Sequence, residues 1–176
     1  MRAKRLMITA LAWSVPLSLL LLAAPAGAEP CFTAAVVSVH DGDTFDVKRP
    51  GGALVTIRLN HIDTPELEAR DRHGKLRWPD QPRSREAANA LWWLAWGETV
   101  RVCPEFKSYG RTGAAVFLRG RDLALPLAGA GWGWVNCRAT CPKVREAMER
   151  ARAARRGLWA DPAPCEPAKW RKGGCK

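Results

Sequence analysis

The chain is poor in acidic residues: 17 Asp and Glu stand against 28 Lys and Arg among 176 residues, a formal charge of +11. No two cysteines have C-x-x-C spacing, and the three histidines do not group near the cysteines, which discounts a zinc site. No segment repeats. Strand and helix patterns do not alternate as βαβ units, which excludes a parallel α/β array. Glu29-Pro30 occupies the place where a lipid-anchored Cys31 would need small residues, which argues against a lipid anchor.

At the start, Arg2, Lys4 and Arg5 precede an apolar run from Leu6 to Leu22, and Ala26-Gly27-Ala28 follows with small residues. This is the pattern of a secretory signal cut before Glu29. Taking its three basic residues from the formal charge leaves +8 on the remainder. A domain this basic tends to meet polyanions, although solubility alone would also explain it. All six cysteines (Cys31, Cys103, Cys137, Cys141, Cys165 and Cys175) follow the signal, and an even count in an exported chain reads as disulfides of undetermined pairing.

Apolar and β-branched runs predict strands at Phe32–Val39, Phe45–Lys48, Ala53–Leu59, Thr99–Cys103 and Arg111–Leu118. Leu67 to Pro82 is polar, charged and Pro-bearing, and reads as a functional or mobile loop. Helices are expected from Arg85 to Ala95, capped by Ser84, from a cap at Asp122 to Ala128, and from Pro142 to Arg156. Trp92, Trp93 and Trp96, on or just past the first helix, are expected in the core, beside Leu91 and Leu94. The fold class is α+β, a five-stranded OB-fold β-barrel with about three packed helices. The organisation is a signal over 1–28, a domain over 29–160 and a Pro- and Lys-rich tail over 161–176 that its two cysteines pin to the body.

Three short segments carry chemistry. Asp41-Gly42-Asp43-Thr44 places two carboxylates at a turn between strands, where hard cations find oxygen ligands; Asp-Gly is also an ordinary hairpin turn. Arg58 to Glu66 ends a strand in Ile62-Asp63-Thr64-Pro65-Glu66. Pro65 stiffens that run, so one carboxylate can hold a metal while the other acts as a base on water. Arg58 can grip a phosphate with its planar fork; the segment also reads as a surface Asx-Pro turn beside a strand Arg. Tyr109-Gly110-Arg111 is a sharp turn that delivers a second cation, or simply a solvated Arg.

In this order and spacing the three segments resemble the thermonuclease family, the secreted staphylococcal-type nucleases, over roughly Phe32 to Trp159. The resemblance implies an OB barrel with three helices and Ca²⁺-dependent cleavage of DNA and RNA that leaves 3′-phosphate ends. It implies that Asp43, Asp63 and the Thr64 carbonyl ligate Ca²⁺, with Asp41 behind them. Glu66 would be the general base, Arg58 and Arg111 would stabilise the transition state, and Tyr109 would lie beside the nucleotide. Lys107 stands where the family usually has Asp, which reshapes contacts near the nucleotide or adds a phosphate contact. Gly113 stands where a larger apolar residue is usual. A Cys31–Cys103 bridge follows from the neighbouring strands of the family fold. The chain is expected to be a monomer with no stable protein partner, and to have no membrane association once the signal is cut.

Asp71-Arg72-His73-Gly74 is similar to the Asp-Arg-Gly-His motif of ββα-metal nucleases, with its last two residues swapped and Asn89 as the remaining ligand. The D-x-D of Asp41 and Asp43 is also found in haloacid-dehalogenase phosphatases, whose βαβ units this chain lacks. His40 and His61, beside the acidic motifs, read as local hydrogen-bonding residues, because Ca²⁺ prefers oxygen. The alternatives to an enzyme are a catalytically silent OB-type nucleic-acid-binding module and an exported basic protein that meets a surface polyanion.

Overall fold

The computed structural model describes residues 30–137 and 141–175; the signal read over 1–28 lies outside the described residues. Strand β1 spans Phe32–Val39, β2 Thr44–Lys48 and β3 Leu54–Leu59, followed by the two-residue β4 at Ile62–Asp63. Strands β5 (Ala69–Arg70) and β6 (Leu76–Trp78) precede helix α1, Ser84–Ala95. Strands β7 (Thr99–Ser108), β8 (Arg111–Leu118) and β9 (Arg121–Asp122) lead into α2, Ala124–Ala130, and β10, Trp134–Val135. Helix α3, Pro142–Ala153, a 3₁₀ turn over Gly157–Ala160 and the short α4, Pro167–Trp170, complete the chain.

The principal sheet runs β3-β2-β1-β7-β8-β9, and a parallel pairing of β3 with β8 closes it. The result is the expected α+β OB-type barrel of five main strands with helices packed on it. Alternation builds its wall: Phe45 and Val47 point inward on β2, as do Ile57 and Leu59 on β3, and all four are buried. Small residues let β8 approach neighbours on both sides, since Gly113, Ala114 and Ala115 are buried in sequence. A side chain on Gly113 would collide with the Phe106 ring, so that ring fills the space left by the missing apolar side chain.

Helix α1 buries Ser84, Ala87, Leu91 and Ala95, the stripe that a 3.6-residue period dictates. Helix α3 does the same with Val144, Ala147, Met148 and Ala151. Burying a side chain of Leu91's size stabilises the fold by about 1.5–3 kcal/mol.

Several expectations are corrected. The stretch from Leu67 to Pro82 is not structureless: β5 and β6 pair as an antiparallel hairpin. The fourth strand runs five residues beyond Cys103 to Ser108, because a register shift between Pro104 and Phe106 absorbs the proline without ending the ladder. Ser84 lies inside α1 rather than capping it; Arg83 holds the cap position with a left-handed φ of 68° and no side-chain cap. The tryptophans of α1 and of its C-terminal cap are exposed, by 38% for Trp92, 80% for Trp93 and 54% for Trp96. They fall off the buried stripe, and Trp92 stacks on Trp96 with ring centroids 5.3 Å apart.

Cysteines pair Cys31 with Cys103, Cys137 with Cys141 and Cys165 with Cys175. The first joins β7 to the chain at the start of β1. The third closes the tail on itself instead of pinning it to the body. Side-chain contacts hold the tail there: the Gln81 amide donates to the Cys165 carbonyl at 2.5 Å, and the Trp170 indole donates to the Pro79 carbonyl at 3.0 Å.

Candidate active site

Sheet register assembles the acidic and basic groups. Thr44 lies opposite Arg58 in the β2–β3 ladder, which sets Arg58 beside the Asp41–Asp43 turn. The turn is tied to the same strand because the Leu59 amide donates to the Asp43 carbonyl at 2.8 Å. The parallel β3–β8 pairing sets Arg58 against Gly113, two residues after Arg111. Strand β4 is pinned by β10, with Asp63 opposite Trp134, and this fixes where the stiff run through the buried Pro65 begins.

Asp43 is 1% exposed and fully engaged. Its Oδ1 accepts from Arg58 at 2.6 Å and from the Thr44 hydroxyl at 2.9 Å, and its Oδ2 accepts from the Thr64 amide at 3.2 Å. Asp41 stands behind it, its carboxylate accepting the Asp43 amide at 2.9 Å. The second guanidinium nitrogen of Arg58 donates to Asp63. Arg58 therefore bridges the two carboxylates expected to hold a cation.

Burial raises the Asp43 carboxyl well above its ordinary value, and the neighbouring Asp41, Asp63 and Glu66 push the same way against Arg58. Burial alone would lower the Arg58 guanidinium, but Asp43 and Asp63 outweigh it and hold Arg58 above its usual value. Burial also raises Glu66, against the opposing pull of Arg171.

Glu66 lies within a cleft of about 690 Å³ that Arg58, Arg77, Tyr109, Arg111 and Arg171 also line. Tyr109 (φ 48°) and Gly110 (φ 80°) form the tight turn between β7 and β8, a conformation that suits Gly and twists with the strands. The turn leaves Tyr109 98% exposed at the cleft. Lys107, opposite Thr112 in the hairpin, donates to its hydroxyl at 2.9 Å. Arg111 and Tyr109 thus meet Glu66 and Arg58 across one opening, while Asp43 and Asp63 lie at its base through Arg58.

Among the described residues, no three His, Cys, Asp or Glu side chains stand as a ready cage for a metal. What converges is oxygen: the Asp43 and Asp63 carboxylates, bridged by Arg58. That donor set fits a hard divalent cation completed by water, and it does not fit zinc.

Residues 56–161 match the family described as Staphylococcal nuclease homologue. The chain belongs to that family. An endonuclease of Haemophilus influenzae, named as uncharacterized, is 30% identical over 142 residues, 80% of this chain and 73% of the relative. A protein named micrococcal nuclease, from Shigella flexneri, is 30% identical over 166 residues, covering 87% of each chain. Protein ParB of Escherichia coli is 32% identical over 172 residues, 89% of this chain and 87% of the relative. This member of the staphylococcal nuclease homologues is accordingly a nuclease, a hydrolase of a family that works with metal ions on nucleic acid.

Two further residues complete the site. Gln81, 3% exposed, accepts the Glu66 amide on its side chain at 3.1 Å and donates its own amide to the Glu66 carbonyl at 2.8 Å. Arg171, from the tail, donates to Glu66 and spans both oxygens of Asp63 at 3.3 and 3.4 Å. Neither residue stands in a motif, and no local signal separates Arg171 from the other tail cations.

The remaining sequence features resolve as local structure. Asp71 accepts the amides of His73 at 2.8 Å and Lys75 at 3.0 Å, so the Asp71-to-Gly74 run is the exposed turn of the β5–β6 hairpin. His40 shares a hydrogen bond with Asp46 at 2.8 Å, and His61 shares one with Asp122 at 2.5 Å.

Proposed function

We propose that this nuclease is an exported, Ca²⁺-dependent endonuclease that acts as a monomer on DNA and RNA with little sequence preference and leaves 3′-phosphate ends. One observation carries the reading: the Glu66 carboxylate shares a cleft with Arg58 and Arg111, directly beside the paired Asp43 and Asp63. A silent binding module has no need of three carboxylates and two arginines gathered this way. Three disulfides suit an oxidising compartment, and among the described residues no helix is long and apolar enough to cross a membrane.

In this reading Asp43, Asp63 and the Thr64 carbonyl hold the cation, and Asp41 orders Asp43 through its amide. Bound there, Ca²⁺ supplies a fixed positive charge that draws the scissile phosphate in and steadies charge on its oxygens. Glu66 takes a proton from a water molecule as the water oxygen bonds to phosphorus. The bond from phosphorus to the 5′-oxygen breaks, and that oxygen gains a proton from solvent. Arg58 and Arg111 stabilise the charge that gathers on the phosphate during this displacement. Tyr109 and Lys107 border the nucleotide.

The test is to incubate the oxidised protein, from Glu29 onward, with single- and double-stranded DNA and with RNA, in Ca²⁺ or in chelator. Products with 3′-phosphate ends are expected only with Ca²⁺. Glu66→Gln should lower kcat by about 100-fold or more while DNA binding survives. Binding without cleavage in Ca²⁺ would leave the silent module as the better reading.

A further inference from the structure

Arg171 comes from far along the chain to reach the two acidic residues of the proposed site: it lies 105 residues from Glu66 and 108 from Asp63. Its path is constrained at several points. The Cys165–Cys175 bridge closes a loop around it. Pro167, at the start of α4, is buried, and the indole of Trp170 is hydrogen-bonded to Pro79. Gln81 joins the tail to the site, because its side chain bonds the Cys165 carbonyl on one end and the Glu66 amide on the other. The segment that docks the tail is thus the segment that holds Glu66.

The guanidinium itself has two partners. One nitrogen donates to Glu66, and the fork spans both oxygens of Asp63. Two carboxylates this close repel, and a planar cation between them sets their separation and orientation together. Lysine, a point charge on a flexible stem, can do this only in part. Four carboxylates (Asp41, Asp43, Asp63 and Glu66) then face two bound guanidiniums.

Resting on the nuclease reading above, we propose that Arg171, delivered by the disulfide-closed tail, is a positioning residue of the active site that holds Glu66 and Asp63 in their working orientation. The family match ends at residue 161, ahead of this tail. Arg171 acts through the two carboxylates, so its loss should slow turnover more than it weakens substrate binding.

The experiment compares the full oxidised protein with Arg171→Gln and Arg171→Lys, the Cys165–Cys175 bridge being checked by mass. Arg171→Gln should lower kcat by about 10- to 100-fold with KM changed less than about threefold, the Lys variant falling between. Melting temperatures are read in parallel, in the wild-type and Glu66→Gln backgrounds. A held contact requires the Tm change from Arg171→Gln to differ between those backgrounds. A kcat equal to wild type overturns the proposal, and so does a higher one, which would make the tail a brake. If the wild-type protein itself does not cleave, the proposed function fails instead. The Tm comparison then still decides whether Arg171 holds Glu66, since additive changes overturn the contact.

Discussion

Gly42 lies so close to Thr64 that a Cβ on Gly42 would come within 2.6 Å of the Thr64 hydroxyl. The same Cβ would stand 2.9 Å from the Ala87 side chain of α1. The Asp41–Asp43 turn is therefore clamped between the Asp63–Glu66 run and a helix, and the absence of a side chain permits it.

Gly42→Ala should cost about 1–3 kcal/mol of stability, the usual penalty of forcing an extra carbon into a packed site. It should also reduce nuclease activity, because Asp43 and Thr64 are pushed apart. Urea unfolding checks the first part; a variant as stable as wild type would mean that the turn is looser than its packing implies.

Arg58 is the counter-ion of two buried carboxylates, Asp43 and Asp63. Arg58→Met should cost about 3–5 kcal/mol at neutral pH, because it takes the guanidinium from the buried Asp43 and leaves Asp63 to Arg171 alone. Added Ca²⁺ should recover part of the loss in the variant, and recover more there than it adds to wild type. Thermal unfolding with and without Ca²⁺ tests this, and an identical Ca²⁺ effect on both proteins would speak against cation binding at Asp43 and Asp63.

The three disulfides should differ in worth. Cys31–Cys103 spans 72 residues, Cys165–Cys175 only 10 and Cys137–Cys141 only 4. In the chain-entropy account, removing the first costs about 4.4 kcal/mol and removing the second about 2.7. Paired Cys→Ala variants measured by denaturant unfolding should keep this order. A larger loss from the tail bridge would show that it acts by ordering the tail in the folded protein.

Asp46 supplies a pH signature away from the site. Burial pushes its carboxyl up, but hydrogen bonds from Thr56 and with His40 outweigh that and hold it below the ordinary value. A lowered folded value stabilises above the unfolded pKa of about 3.9 and loses that contribution as pH falls through the folded value. Asp46→Asn should therefore cost about 1 kcal/mol near neutrality. The gap from wild type should close as the medium is acidified through and below the lowered folded value. Unfolding measured across pH checks this, and a gap independent of pH would contradict it.

The sequence by itself determined what depends on local order. Alternation on β2 and β3 and the 3.6-residue stripe of α1 follow from which neighbours are apolar. The turns at Asp41–Thr44 and at Tyr109-Gly110 follow from residues that tolerate them, and the stiff Ile62–Glu66 run follows from Pro65. The family was legible for the same reason, since its motifs are short and contiguous.

Tertiary structure decided what depends on where distant segments meet. Trp92, Trp93 and Trp96 look apolar in sequence, yet the buried stripe of α1 had room for Leu91 and not for them. The tail cysteines could have reached the body, but the fold brings them to each other. Arg58 becomes the bridge between Asp43 and Asp63 only through the β2–β3 register. Arg171 reaches Glu66 only because Gln81 and Trp170 dock a tail more than 100 residues away. A charge in a polar tail has no local constraint that tells its partner, so the contact exists only once the chain has folded.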